Sequence, residues 1–325
     1  MLNSILDSIG NLKGKDVMKQ VPIVFSVDDN YAPLLGVALQ SIKETKSNDF
    51  VYNIHILNTG IGEENIKKLY KYNQDNMCIS FVDVSKELKT IADQICLRDY
   101  YTATTYYRFF IPQLFPQYEK VLYLDCDIVL LDDVAKLYNH DIDGCLLGAI
   151  PEDIMPTEQA FTNYVEQGLG INVRRYFSAG IILINCKEFR SQNVLKQLID
   201  LMAKFKFEVT QDEDYLNVIC KDKVKYIEAG WNRAPIPNDG FKLEDVKLVH
   251  YKINYRPWKY DNVLYGNYFW DYAKRSDYYD YLTMYKNNYS DENKTRDANM
   301  FVKLVERARQ YITRDDCYYK VIRGN

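Results

Sequence analysis

Residues 120–131 read Lys-Val-Leu-Tyr-Leu-Asp-Cys-Asp-Ile-Val-Leu-Leu, an apolar run interrupted by two carboxylates, Asp125 and Asp127. In an extended backbone, side chains two residues apart point to the same side, so the two carboxylates would share a face. Hard cations such as Mg²⁺ or Mn²⁺ take oxygen ligands and leave positions for substrate phosphates, which makes this strand end a candidate metal-diphosphate site. An Asp-x-Asp also occurs in caps and solvated turns, and these residues alone support the two interpretations about equally.

Alternating strand-like and helix-like segments extend from this run in both directions. Before it, we predict strands at 21–27, 52–57 and 79–84 and helices at 33–42, 63–72 and 104–110. After it come strands at 146–150 and 180–184, a loop that reaches residue 176, and a helix at 191–205. This order predicts an α/β fold with a mostly parallel, doubly wound sheet. In such a sheet ligands bind beyond the carboxyl ends of the strands, where Asp28 and Asp125 both lie.

The bulk properties narrow the class of protein. The 325 residues, 47% of them hydrophobic, suffice for one large domain with an appendage. A net charge of −4 argues against a nucleic-acid partner, which would require a broad basic surface. The seven cysteines form no Cys-x-x-Cys pair, and no segment has the pattern of a signal peptide or a membrane span. We therefore expect a cytoplasmic protein without a disulfide framework or a zinc ribbon.

The chain divides into an N-terminal extension (1–20), a main domain (21–275) and a helical C-terminal extension (276–325). Within the last part, residues 298–312 carry apolar side chains at helical spacing, namely Phe301, Leu304, Val305, Ala308 and Ile312. We expect this helix to pack on the main domain, because its polar face mixes Glu306 with basic residues. Docking on a membrane surface, peripherally at the inner face of the plasma membrane, is the second interpretation.

Six motifs occur in the order found in glycosyltransferase family 8, which the chain resembles over about residues 21–275. They are Ile-Val-Phe-Ser-Val-Asp-Asp-Asn-Tyr (23–31), Thr-Thr-Tyr-Tyr-Arg (104–108), Val-Leu-Tyr-Leu-Asp-Cys-Asp (121–127), Tyr-Phe-Ser-Ala-Gly-Ile-Ile-Leu-Ile-Asn (176–185), Gln-Asp-Glu-Asp-Tyr-Leu-Asn (211–217), and His-Tyr with Arg-Pro-Trp (250–258). The family contains bacterial lipopolysaccharide galactosyl- and glucosyltransferases and the glycogenins. The resemblance implies a GT-A fold, a Rossmann-like domain that binds a UDP-sugar and Mn²⁺ or Mg²⁺ at the strand ends, and transfer that retains the anomeric configuration.

The resemblance assigns the metal and nucleotide half of the site. Asp125 and Asp127 match the metal-binding DxD motif, whose middle residue is Cys126, and His250 matches the third metal ligand. Arg256 stands where relatives usually carry a diphosphate-binding lysine. The loop that holds uracil and ribose in the family matches Ser26, Val27, Asp28, Asn30 and Tyr31. Its residue Asn30 also suits a helix N-cap, and the two roles are compatible.

The sugar half is where the sequence departs from relatives. Arg108 and Asp212 match residues that reach the donor sugar, but Ser178 replaces a common asparagine. Glu213 replaces a glutamine that is common near the anomeric carbon. A carboxylate there could be a nucleophile or could stabilise the transition state electrostatically, and we favour stabilisation. Acidic residues also suit the first turn of the helix that they open. Ile253 replaces a common glycine, so we expect a different arrangement of its loop.

These features predict a retaining, metal-dependent hexosyltransferase. The donor would be UDP-glucose or UDP-galactose, and the acceptor a glycan, lipid-linked sugar or protein-linked sugar in bacterial-type surface polysaccharide synthesis. A non-catalytic subunit or sensor that binds a nucleotide sugar or glycan is the alternative. A nucleotide-sugar hydrolase or a nucleotidyltransferase is a third hypothesis, although a nucleotidyltransferase usually has a glycine-rich loop and a lysine after its first strand, which this sequence lacks.

Overall fold

The predicted alternation of strands and helices is present in the computed structural model, which describes residues 18–93, 103–237 and 240–324. The strands are β1 (Lys19–Ser26), β2 (Phe50–Asn58), β3 (Met77–Asp83), β4 (Lys120–Leu124), β5 (Ile128–Leu130), β6 (Leu147–Pro151), β7 (Phe177–Asn185), β8 (Val224–Tyr226) and β9 (Leu248–His250). The α-helices are α1 (Ala32–Thr45), α2 (Glu63–Tyr70), α3 (Ser85–Lys89), α4 (Ile111–Leu114), α5 (Val134–Tyr138), α6 (Gln159–Asn163), α7 (Cys186–Ser191), α8 (Val194–Lys204), α9 (Asp212–Cys220), α10 (Gly266–Ala273), α11 (Tyr279–Asn287), α12 (Asp291–Tyr311) and α13 (Tyr318–Arg323). The extension predicted for residues 1–20 lies outside the described residues up to residue 17.

Seven of these strands form one sheet in the order β3-β2-β1-β4-β7-β6-β8. The pairs β3–β2, β2–β1, β1–β4 and β6–β8 are parallel, whereas β7 runs antiparallel to both of its neighbours. The predicted mostly parallel sheet is therefore confirmed. Every residue of β7 is buried, as expected for a central strand that is covered on both faces.

The core lies on both faces of this sheet because successive side chains of a strand point to opposite sides. In β1, Ile23 and Phe25 belong to the apolar cluster that includes Leu35 and Leu39 of α1. Val24, between them, belongs to the second cluster on the other face. Helices thus cover both sides, and the carboxyl ends of β1 and β4 open at one edge.

The chain bends between β4 and β5, so Asp125 and Asp127 do not lie on one extended strand as expected. The Asp125 N–H donates to the Gly180 carbonyl at 2.7 Å, and the Asp127 carbonyl accepts from the Tyr251 N–H at 2.9 Å. Strands β5 and β9 form a small antiparallel ribbon that pairs Ile128 with His250. This ribbon brings His250 beside the two carboxylates.

The C-terminal helix α12 begins seven residues before the predicted start at 298, because the Ser290 side chain caps it by accepting from the Asn293 N–H. Its apolar face is buried at Leu304, Ala308 and Tyr311. Phe301 meets Phe161 of α6 edge-on, with ring centroids 5.9 Å apart. The helix therefore packs on the main domain.

One local prediction was wrong, and two others differ from the structure only in detail. The helix expected at 191–205 is present as α8, which begins three residues later because Asn193, just before it, adopts a left-handed backbone with φ of 50°. The loop expected before residue 176 contains α6 and a π-helical turn at Tyr164–Gly168. The helix expected at 104–110 is a 3₁₀ helix at Ala103–Phe110. In the described part of the chain, no helix combines the length and apolarity needed to span a bilayer.

Candidate active site

Asp125, Asp127 and His250 form a compact cluster of potential metal ligands whose ligand atoms all lie within 4.8 Å of one another. His250 Nε2 is 3.2 Å from Asp127 Oδ1 and 3.8 Å from Asp125 Oδ2. The other ring nitrogen, Nδ1, lies 2.9 Å from Asn232 Oδ1. A proton on Nδ1 would be donated to that oxygen, which leaves Nε2 as a ligand facing the carboxylates. Asn232 was missed in the sequence, where no motif marks it.

This cluster fits a divalent cation such as Mn²⁺ or Mg²⁺, because it offers two carboxylates and one imidazole to a common point. Gly180 lies directly behind it. A Cβ added at Gly180 would fall 2.5 Å from both Asp125 Oδ2 and His250 Cε1, so only glycine allows this approach. Burial alone would raise the pKa of Asp127, but the contact with His250 and the charge of Arg256 hold that pKa below its ordinary value.

Arg108 links the candidate metal ligands to Asp212, which is predicted to contact the donor sugar. Its guanidinium is buried, with NH2 3.0 Å from Asp125 Oδ1 and Nε 3.2 Å from Asp212 Oδ2. The Tyr123 ring lies 4.3 Å from Arg108 Cζ, and the Tyr123 hydroxyl donates to Asp125 Oδ1 at 2.8 Å. Burial would lower the pKa of Arg108, but Asp125 and Asp212 raise it. Arg108 is therefore a fixed cation and not the solvated surface charge typical of a helix.

A cavity of about 120 Å³ opens beside the candidate metal ligands, next to the loop predicted to hold the nucleotide. It is lined by Ser26, Tyr31, Thr104, Thr105, Arg108, Tyr123, Asp125, Cys126, Asp127 and Arg256. The predicted residues Ser26, Tyr31 and Cys126 are thus brought to the cleft. The Cys126 thiol is buried and donates to the Ser26 carbonyl, with Sγ and O 3.3 Å apart.

Three residues of the predicted nucleotide loop do not line this cavity. Val27 points into the core, and its N–H donates to the Leu57 carbonyl at 3.0 Å. Asp28 Oδ1 accepts from the Tyr31 N–H at 3.0 Å, so it stabilises the turn that leads into α1. Asn30 is exposed, and the cap position of α1 is Tyr31. The N-cap role considered for Asn30 is therefore wrong.

A second cavity of about 150 Å³ continues from the first toward the residues predicted to contact the donor sugar. It is lined by Thr105, Arg108, Asp125, Asp127, Glu152, Ile154, Met155, Phe161, Ser178, Gly180, Thr210, Asp212, Glu213, His250, Lys252, Ile253, Arg256 and Leu304. The two cavities share Thr105, Arg108, Asp125, Asp127 and Arg256. They therefore form one cleft with the candidate metal ligands at its middle.

The acidic triplet opens α9, and two of its members also line the cleft. Glu213 Oε2 accepts the Ala179 N–H at 2.8 Å. Burial raises the pKa of Asp212 to about 7, although Arg108 opposes that shift. Burial, reinforced by the charge of Glu152, raises the pKa of Glu213 well above its ordinary value. Helix-opening and cleft-lining roles thus coincide here.

Asp214, the third acid, has a structural position. Its carboxylate is fully buried and accepts hydrogen bonds from the hydroxyls of Tyr164 and Tyr176, each at 2.8 Å. It also accepts the Thr210 N–H at 3.0 Å. These bonds fix the turn before α9 and thereby orient Asp212 and Glu213.

A buried ion pair at the sugar end was missed in the sequence. Lys252 Nζ lies 2.6 Å from Glu152 Oε2 and 3.5 Å from Asp153 Oδ1. Asp153 Oδ2 is also 3.3 Å from Arg233 NH1. Glu152 and Asp153 directly follow the end of β6, so the rule that singled out the polar residues after β1 and β4 would have found them.

Ile253 lines the cleft with a backbone φ of 51°. This is the left-handed region that glycine tolerates and a β-branched residue rarely adopts. The turn therefore keeps the backbone conformation that a glycine would favour, and the isoleucine adds an aliphatic side chain to the wall.

Comparisons of sequence and of structure both identify glycosyltransferases as similar proteins. The model of the family "Glycosyl transferase family 8" matches residues 22–262. The chain is 25% identical to general stress protein A of Bacillus subtilis strain 168 over 286 residues, which cover 82% of this chain and 94% of the relative. It is 24% identical to the lipopolysaccharide 1,2-glucosyltransferase of Escherichia coli K12 over 253 residues, covering 73% and 72%. The crystal structure of the galactosyltransferase LgtC with donor and acceptor sugar analogues superposes with a TM-score of 0.68 at 27% identity, covering 79% of this chain and 96% of that one.

Proposed function

Because this chain belongs to glycosyltransferase family 8 and has the GT-A fold, we propose that it is a retaining, metal-dependent hexosyltransferase using UDP-glucose or UDP-galactose. The observation that carries the proposal is the Asp125, Asp127 and His250 cluster at the middle of one continuous cleft. A metal there would divide a nucleotide end from a sugar end, as a nucleotide-sugar donor requires.

The charges around the cluster suit a diphosphate leaving group. Asp125, Asp127 and His250 would hold Mn²⁺ or Mg²⁺, which when bound neutralises the diphosphate as a Lewis acid. Arg256 lines both parts of the cleft, with NH2 4.0 Å from Asp127 Oδ2, so its guanidinium would place positive charge beside the phosphates. Arg108 adds a second fixed positive charge on the sugar side.

We assign Glu213 to stabilisation of the reaction centre. Attack on the anomeric carbon would require an ionised carboxylate, whereas burial and Glu152 raise the pKa of Glu213 and favour its neutral form. Its carbonyl oxygen can still present partial negative charge to a developing oxocarbenium ion. In the transfer, the bond from the anomeric carbon to the diphosphate oxygen breaks, the acceptor oxygen forms the new bond on the same face, and the acceptor proton leaves with UDP.

We further propose that the acceptor is a sugar of a bacterial-type surface polysaccharide and that transfer takes place in the cytoplasm. The support is the likeness to a lipopolysaccharide 1,2-glucosyltransferase. Of the two roles considered for the C-terminal helix, packing on the main domain agrees with its buried face.

The test is release of UDP from a panel of UDP-sugars, measured with and without acceptor mixtures and with Mn²⁺ or EDTA. We expect acceptor-dependent, metal-dependent release from UDP-glucose or UDP-galactose. Release that ignores the acceptor would indicate a hydrolase. Binding of UDP without release from any donor would favour the non-catalytic sensor or subunit.

A further inference from the structure

Asp297 lies on α12, beyond the residues that the family model matches, and it accepts three hydrogen bonds on one oxygen. Its Oδ2 atom is 3.0 Å from Lys259 Nζ, 2.9 Å from the Tyr260 hydroxyl and 2.6 Å from the Tyr289 hydroxyl. Only 13% of the Asp297 side chain is exposed. Burial would raise the pKa of Asp297, but these three donors hold it below its ordinary value. The carboxylate therefore joins α12 to the segment at 259–260.

The same segment holds the backbone of Arg256. The Arg256 carbonyl accepts from the Lys259 N–H at 2.9 Å and from the Tyr260 N–H at 3.0 Å. The residues that close the turn at Arg256 are thus the residues whose side chains end on Asp297. A displacement of either side chain would be passed directly to the Arg256 backbone.

The same turn is also held by aromatic packing at Trp258. Trp258 lies against Phe269 of α10 with ring centroids 5.1 Å apart, and against Tyr251 at 6.2 Å. The turn is therefore fixed by an apolar contact on α10 and a polar contact on α12. Loss of the polar contact would leave the aromatic packing in place, so the fold around Trp258 should persist.

Asp297 also acts through its negative charge. Burial, followed by the charge of Arg256, lowers the pKa of Lys259, which indicates that the two cations repel each other. The negative charge of Asp297 offsets this repulsion. Without it, Lys259 and Arg256 would tend to move apart, and Arg256 would leave the position from which it faces the cleft.

The same face of α12 also reaches the cleft. Leu304 follows Asp297 by seven residues, a spacing that places both on one side of a helix. Leu304 lines the sugar-side cavity with Ile154 and Phe161. One helix face thus contacts the Arg256 turn and the cavity wall.

We propose that Asp297 is a positioning residue for Arg256 and that α12 is therefore a working part of the diphosphate-binding site. This inference rests on the proposed function, in which Arg256 contacts the diphosphate of the donor. It assigns to the C-terminal extension a role in substrate binding.

The first test is calorimetric affinity for UDP in the presence of Mn²⁺. The full chain carrying Asp297→Asn should bind UDP about 10-fold more weakly, with a raised KM for the donor and a smaller change in kcat. Asp291→Asn is the matched control, because Asp291 is 97% exposed on the same helix and pairs with Lys294. Control-like UDP affinity in a folded Asp297→Asn protein would overturn the proposal.

A double-mutant cycle separates positioning from general stability. If Asp297 acts through Arg256, Asp297→Asn should weaken UDP binding in the native background but change it less than 2-fold in an Arg256→Gln background. Equal losses in both backgrounds would overturn the inference. Failure of the native chain to bind UDP with Mn²⁺ would instead refute the proposed function.

A second pair of variants covers the case in which Asp297→Asn does not fold. Tyr260→Phe and Tyr289→Phe each remove one hydrogen bond to Asp297. Of these two tyrosines, only Tyr260 also donates its backbone N–H to the Arg256 carbonyl. The inference predicts that Tyr260→Phe weakens UDP binding by about 3-fold and that Tyr289→Phe changes it little. The two variants should lose about the same Tm relative to the native chain. The same UDP affinity in the two variants would contradict it.

Discussion

The two ends of the cleft are built in different ways. At the nucleotide end, Ser26 is the last residue of β1 and Cys126 is the second residue after β4, so the ends of parallel strands determine where they are. At the sugar end, the wall combines residues that follow β6 and β9 with Glu213 of α9 and Leu304 of α12. The ends of paired strands are fixed by backbone hydrogen bonds, whereas this wall depends on side-chain packing between segments that are far apart in the sequence. The sugar end is thus the part in which the chain can differ from its relatives without loss of the fold.

The largest expected effect is at the boundary between the two ends. Asp127→Asn should lower turnover by at least about 1000-fold, or about 4 kcal/mol, and abolish Mn²⁺-dependent UDP binding, because an amide is a weaker ligand for a hard cation. Steady-state assays and calorimetry would measure this. Asp132→Asn is the control, since Asp132 belongs to the same acidic stretch but pairs with Lys136 at the surface. If both variants bind UDP like the native chain, the proposed metal site is wrong.

The next effect tests whether the sugar end depends on a distant side-chain contact. Lys252→Met should lower the free energy of unfolding by about 3 kcal/mol, because Glu152 would be left buried without its nearest cation. Urea denaturation would measure the change. Lys247→Met, which breaks a more exposed pair with Glu228, should cost about 1 kcal/mol or less. Similar losses of unfolding free energy in the two variants would show that the buried pair stabilises the fold no more than the exposed pair does.

A smaller effect distinguishes the two roles of Glu213. Glu213→Gln should lower kcat by no more than about 10-fold, or about 1.4 kcal/mol, if the side chain stabilises the reaction centre, because the amide keeps the carbonyl oxygen of the neutral carboxyl. A nucleophile would be lost altogether, with a fall of several orders of magnitude. Pre-steady-state kinetics together with mass spectrometry would separate the two, since a trapped glycosyl adduct on Glu213 of the native chain would refute the stabilising role.

The nucleotide end could be predicted further than the sugar end because its signals are local. Asp125 and Asp127 are two residues apart, and the strand before them marks the sheet edge. The prediction fails there at the bend after β4 and in the side chains of the loop after β1. Val27 continues the strand alternation into the core. A capping Asn30 would accept the N–H of residue 32 or 33, but the Ala32 N–H donates to the Asp28 carbonyl and Pro33 has no N–H.

At the sugar end, local signals mark single residues but not the distant residues that they contact. The contact between Lys252 and Glu152 joins residues 100 positions apart, and the one between Lys259 and Asp297 spans 38. Periodicity describes one element at a time, so it gave the apolar face of α12 but not the surface that this face meets. The acids at 212–214 were found through a motif, yet their sequence does not reveal that Asp214 turns inward to Tyr164.

The smallest expected effect sets stability against function at Ile253. A β-branched residue in left-handed backbone costs about 1–2 kcal/mol, so Ile253→Gly should raise the free energy of unfolding, by about 1 kcal/mol after the greater chain entropy of glycine is included. The same change removes an aliphatic side chain from the cavity wall. Water should then enter more easily, and hydrolysis of the donor without acceptor should rise a few-fold.

Asp75→Gly is the matched variant, because Asp75 has a similar φ of 54° on an exposed turn between α2 and β3. Relief of strain there should stabilise the chain slightly and leave hydrolysis unchanged, so a rise in both variants would assign the effect to stability and not to the cavity wall. If the Ile253→Gly variant is more stable and hydrolyses the donor no faster than the native chain, the isoleucine side chain does not keep water out of the cleft. If it is more stable and more hydrolytic, the strain at Ile253 is retained because its side chain is needed to keep water from the sugar end, where packing determines the wall.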